Sequence, residues 1–293
     1  MVVERIFQIK ELRSKPYLVS VIAFIFVCIS LILATMAHQP PMGFFIISLV
    51  VMPAIPFFMR MIICEEKGEE ILIKFICSIP PKKFEKGKKE GLVSLYNNIV
   101  ELYMYFFLGS IIGFAFTASI MPQVSSILMF SDIRNLFHTV SSVDTSFQGI
   151  FLHNLYLMLI MMFFSLVYSI GAIFLLVLNA SVIGLFLETE IRAKLLEFSS
   201  FGMLAYPAAF VTGSTVGILK LLPHGICEFS GFFIASVAGG IISVAIERKA
   251  YERKEVLMIL LRDVAKLLIL AVLLLALGAF IESSYSSLPS FLK

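Results

Sequence analysis

Tryptophan is absent from the 293 residues, only 15% of them are charged, and cysteine appears just four times. Soluble domains carry about 25% charged residues, so the shortage of charge excludes an ordinary water-soluble fold. Cys28, Cys64, Cys77 and Cys227 are scattered without paired short spacing, which excludes a zinc ribbon, a redox pair or a disulfide framework and leaves free thiols. A Gly-rich phosphate loop, a nucleophile elbow and a zinc-hydrolase helix motif are missing too. An ATPase or a soluble-type hydrolase is therefore unsupported, and no catalytic residue, metal or cofactor is expected. A net charge of +3 is too small to attract nucleic acid.

What the chain has in abundance is apolar: 59% of the residues are hydrophobic and the mean hydropathy is +0.98. Such a composition places the chain in a lipid bilayer, where backbone polar groups must be satisfied internally. The expected fold is all-α and polytopic. Helices of about 20 apolar residues cross a hydrocarbon core of about 30 Å, and stretches of that kind run over residues 17–37, 43–63 and 102–121. Residues 153–187 form a longer run, which either protrudes from the membrane or breaks at Asn179-Ala180-Ser181. From 200 to 246 the chain is apolar around Pro223-His224-Gly225, read as a turn between spans 201–221 and 224–246, with a re-entrant pair as the alternative. Residues 267–282 make the last span, giving about seven in all, six to seven.

The organisation that follows is a surface helix and transmembrane hairpin over 1–63, a charged cytoplasmic loop over 64–101, a membrane core over 102–285 and a tail over 286–293. No small-residue cleavage site follows the first apolar run, so it reads as a membrane helix. Cytoplasmic loops concentrate Lys and Arg. Seven spans with the N-terminus in the cytoplasm leave only Arg134, Lys220 and Lys293 of the 23 basic residues on the outer side. That bias sets the expected orientation, in the cell membrane.

Ionisable side chains inside a membrane span mark function or packing. His224 and Glu228, four residues apart, share one helix face, and Glu282, His153 and Asn154 reach a similar depth in the expected topology. Two readings compete. The cluster clasps a tight hairpin through hydrogen bonds, or it lines a proton or substrate path. A membrane-embedded hydrolase on His224 and Glu228 ranks third, for want of a nucleophile or a complete metal set. Asn154 and Asn179 read as hydrogen-bonding glue between helices, and Gly213, Gly217, Gly231, Ala235 and Gly239 provide small faces for close helix packing.

Three places resemble the stage II sporulation protein M family. They are His153-Asn154 heading a span that closes on Leu178-Asn179-Ala180-Ser181-Val182-Ile183-Gly184, the block Leu222-Pro223-His224-Gly225-x-x-Glu228 with Ala235 and Gly239-Gly240 after it, and Phe280-Ile281-Glu282. Ala180 stands where the family usually has glycine, and the hairpin over 17–63 with its charged loop is additional. The resemblance implies a multi-pass membrane protein that, in spore formers, partners and localises cell-wall-degrading enzymes during engulfment. Family members also occur in cells that never sporulate, so what carries over is the membrane core rather than the sporulation role. The expectation is a non-catalytic scaffold that recruits membrane or cell-envelope partners or shapes the bilayer. It would be a homo-oligomer, a dimer, through its Gly-rich helices. The alternative is a transporter or permease subunit with a polar path through His224, Glu228 and Glu282.

Overall fold

The computed structural model describes residues 15–37, 40–58, 91–135, 146–167, 172–247 and 254–286. The surface helix expected over 2–15, residues 64–90 of the charged loop and the tail beyond 286 lie outside the described residues, while 91–101, expected as the end of that loop, are the first turns of a helix that runs on to Ile120. Eight helices of seven or more residues order the rest: α1 Leu18–Ala37, α2 Gly43–Phe58, α3 Gly91–Ile120, α4 Gln123–Met129, α5 Phe147–Val167, α6 Ala172–Glu197, α7 Ala205–Glu247 and α8 Lys254–Ser286; a short helical segment over 131–135 follows α4. A 3-10 turn, Ser199–Leu204, joins α6 to α7. No strand occurs among the described residues. Six helices are long and apolar enough to cross a membrane, and α2 is a shorter apolar helix. The all-α polytopic expectation holds.

Two spans divide differently from the sequence expectation. The run over 153–187 belongs to two helices, α5 and α6, whose junction falls at 168–171, outside the described residues. Asn179-Ala180-Ser181 is no break: Ala180 is fully buried inside α6, and Ser181 Oγ donates to the Leu178 carbonyl at 2.6 Å. That bond satisfies the serine without leaving the helix. Conversely, Pro223-His224-Gly225 is no turn. It sits inside α7, one continuous helix of 43 residues, about 64 Å long at 1.5 Å per residue. The re-entrant alternative falls with it. Proline disfavours a helix interior by removing one N–H and crowding the carbonyl four residues back, but a turn in hydrocarbon would leave many more backbone groups unsatisfied. The helix is the cheaper solution.

The packing follows from where side chains are small. α1 and α3 run in parallel, with Gly109 against the backbone of Ser20 and Gly113 against Val27. α6 lies antiparallel to α7, where a Cβ on Gly213 would stand 2.5 Å from Ile191 Cα. A large apolar core fills the space between α1, α2, α3 and α6, with Phe58, Phe106, Phe114, Ile173 and Ile191 fully enclosed. A smaller one joins α5, α7 and α8 through Met158, Met161, Phe232, Ala235, Ala271 and Leu275.

One end of the bundle is closed by polar caps. Asp132 accepts the backbone N–H groups of Gly43 at 3.1 Å and Phe44 at 2.9 Å, and so satisfies donors that the first turn of α2 cannot pair internally. Glu188 of α6 reaches Arg134 and Ser126 at this same end. Arg192 and Lys194 therefore share an end with Arg134, whereas the sequence expectation had put them on opposite sides. The reason is the misplaced junction: two helices across 147–197 reverse the direction in which α6 runs.

Candidate functional site

α7 and α8 pack antiparallel, and each carries a stripe at spacings of three and four that combines small residues with polar ones. On α7 the stripe runs His224, Glu228, Gly231, Ala235 and Gly239; on α8 it runs Ala271, Leu275, Gly278 and Glu282. Such spacing keeps side chains on one face of a helix. Gly231 lies against Leu275 and the Ala271 carbonyl, and a Cβ on Gly278 would stand 2.8 Å from Glu228 Cγ. The absence of side chains there lets the carboxylate of Glu282, one turn beyond Gly278, meet His224 and Glu228.

The ligating atoms of His224, Glu228 and Glu282 all lie within 4.8 Å of one another, and each residue is half-buried. α5 supplies the third wall. Asn154, only 7% exposed, donates from Nδ2 to Glu228 Oε1 at 2.6 Å, and further along Ser165 Oγ donates to the Ser236 carbonyl at 2.6 Å. Gly239 fits beside the Met162 carbonyl. His153 is half-buried on α5, within electrostatic reach of Glu282. The cluster sits about two turns from the start of α5 and one from the end of α8.

Five of the polar residues that stand out in the sequence meet at this place: His224, Glu228, Glu282, Asn154 and His153. Asn179 is not among them. It lies half-buried on α6 and makes no side-chain hydrogen bond among the described residues. Of the packing positions, Gly213, Gly217, Gly231, Ala235 and Gly239 all face neighbours within this chain. Those faces are consumed in folding.

Neither Glu228 nor Glu282 has a Lys or Arg partner among the described residues, and the nearest basic residue along α7, Lys220, is paired with Glu190 at 2.7 Å. Two carboxylates and an imidazole can hydrogen-bond helices together, pass protons or take a divalent cation. A cavity of about 250 Å³ opens one turn earlier, lined by Val216, Leu219, Lys220 and Pro223. It includes no member of the cluster.

A second polar centre went unnoticed in the sequence. Glu188, 2% exposed, accepts from Ser126 Oγ at 2.8 Å and from Arg192 Nε at 2.7 Å, and it closes on Arg134. Arg192 also donates to the carbonyls of Ala118 and Met121, both at 2.8 Å, and so caps the end of α3. The available signal was a lone i,i+4 Glu–Arg pair set among Leu185, Leu187 and Ile191.

A family model described as Stage II sporulation protein M matches residues 102–287, well over half of the chain. No curated protein and no solved structure matches it.

Proposed function

We propose that this chain, which belongs to the stage II sporulation protein M family, is a non-catalytic scaffold of the cell membrane that holds envelope proteins in place. The observation that carries this reading is the closure of the polar cluster. Asn154 ties α5 to Glu228 of α7, and Gly278 seats α8 against the same side chain. Side-chain hydrogen bonds between membrane helices contribute about 0.6–2 kcal/mol each, and close glycine contacts add packing. The cluster then works as a clasp that fixes three helices and presents their exposed faces to partners. A homodimer is also part of this reading, formed through lipid-facing surfaces, since the glycine faces are already used.

A permease subunit is the second reading, favoured by the partial exposure of His224, Glu228 and Glu282. A scaffold and a permease differ in whether α7 and α8 must separate. In Gly278→Cys the new Cβ stands 3.4 Å from Cys227 Cβ, close to the span of about 3.5–4.5 Å in disulfides; it also pushes on Glu228 Cγ, 2.8 Å away, so the reduced Gly278→Cys chain, and not the wild type, is the unlocked reference. Mild oxidation should join the two cysteines, and the locked chain should keep, in cells, the same set of cross-linked envelope proteins at the same yield as the unlocked one. Loss of that set on locking, or its absence beyond what an unrelated membrane protein of equal abundance captures, would remove the scaffold reading.

A further inference from the structure

We infer that His224, Glu228 and Glu282 form a binding site for a divalent transition-metal ion, of the zinc or manganese kind, which staples α7 to α8. The inference rests on reading the cluster as a clasp, and it adds the ligand that closes it.

Three observations converge. The first is geometric: the three ligating atoms lie within 4.8 Å of one another. Ligand atoms bound at about 2.0–2.2 Å from zinc sit about 3–3.5 Å apart, so side-chain rotations of about an ångström bring the set onto one ion. The second is charge. Two carboxyl groups in a membrane span must either hold a proton or meet a compensating charge, and no Lys or Arg among the described residues pairs with them: Lys220 is held by Glu190, and Arg134 and Arg192 by Glu188. A dication neutralises two carboxylates. The third is orientation: Asn154 Nδ2 holds Glu228 through Oε1, and the two carboxyl groups of Glu228 and Glu282 meet each other in a hydrogen bond. An ion would displace the shared proton there while Asn154 keeps its place, as outer-shell hydrogen bonds do for metal-ligating carboxylates.

The donor set selects the metal class. An imidazole nitrogen disfavours calcium and magnesium, which take oxygen ligands, and a set without thiolate disfavours copper(I). One nitrogen and two carboxylate oxygens suit zinc, manganese or iron(II), with a coordination position left for water. Bound there, the ion is retained between two helices from opposite sides of the clasp and raises the resistance of α7 and α8 to separation.

The test uses the full chain, purified in detergent, stripped with a chelator and dialysed, then titrated separately with zinc and manganese salts. One equivalent per chain is expected, with a rise in thermal unfolding temperature on loading. Glu228→Gln and Glu282→Gln should each abolish the equivalent and the rise, and Asn154→Ala should weaken binding about 10- to 100-fold. Glu197→Gln, at an exposed pair with Lys194 on α6 and none of the three ligands, should bind as wild type does. His224→Cys keeps the inference testable if a glutamine variant fails to fold: exchanging imidazole for thiolate should retain zinc, admit cadmium and reject manganese, a change of selectivity that a purely structural histidine would not produce. No stoichiometric metal in the wild type, or equal binding in the two glutamine variants, overturns the site. Those results leave the partner association of the locked chain untouched, whereas loss of that association with metal binding intact overturns the scaffold reading alone.

Discussion

Replacing Glu188 with alanine is expected to destabilise the folded chain by about 3–5 kcal/mol, the range for removing one partner from a buried ion pair. The carboxylate is 2% exposed and is shared by Arg134, Arg192 and Ser126. Without it, two guanidinium groups face each other in a partly buried space with nothing to neutralise them. The cap on the end of α3 suffers as well, because Arg192 would no longer be held where it reaches the Ala118 and Met121 carbonyls. Thermal or denaturant unfolding in detergent measures the loss. Glu188→Gln should cost less, since the amide still accepts hydrogen bonds from Ser126 and Arg192. The contrast is Glu197→Ala: that carboxylate is 56% exposed in its pair with Lys194, and exposed pairs contribute about 0–1 kcal/mol. Equal losses at 188 and 197 would mean that the buried centre does not hold this end of the bundle together.

Gly109→Leu ranks next. At Gly109 the backbone of α1 comes so near that a Cβ would meet the Ser20 carbonyl group, with Ser20 C and Cα both at 2.6 Å. Overpacking a core costs about 1–3 kcal/mol when side chains can shift. Here the obstacle is backbone, so α1 and α3 must move apart along their whole contact, and the upper end of that range or more is expected. Even alanine should destabilise at 109. At Gly240 the nearest atom to a built Cβ is Ser165 Oγ at 3.5 Å, an ordinary contact, so alanine there should be tolerated. Unfolding midpoints of the three variants decide the matter. A harmless Gly109→Leu would mean that α1 does not pack on α3 in this way.

Hydropathy located the membrane segments but not all of their ends. The spans of α1 and α3 were readable because charged or proline-rich stretches bound them, at Lys15-Pro16 and at Pro122. Residues 153–187 and 200–246 were divided in the wrong places, because apolar content says that a segment lies in lipid and not where it reverses. Pro223 and Gly225 are turn signals in water, whereas in hydrocarbon a turn exposes more unpaired backbone than one proline does. The junction at 168–171, Tyr-Ser-Ile-Gly, has no charge to mark it.

The cluster was legible for a different reason. Ionisable residues are rare enough in these spans that His224, Glu228 and Glu282 stand out singly, and the stripes of small residues through Gly231 and Gly278 carry the information that joins them. Asn179 stood out by the same rarity but is on no such stripe with them. Glu188 was hidden because its arginine partners lie 54 residues away in one case and one helical turn away in the other, and only the fold shows that both reach one carboxylate.

The clasp itself is open to one direct measurement. The purified chain, reconstituted alone in liposomes that enclose a pH-sensitive or metal-sensitive dye, is placed under a proton gradient and then under a zinc or manganese gradient. A closed clasp passes nothing: wild type and Glu228→Gln should both leak no faster than liposomes without protein. A flux carried by the wild type and abolished by Glu228→Gln would contradict it, and would make His224, Glu228 and Glu282 the lining of a path.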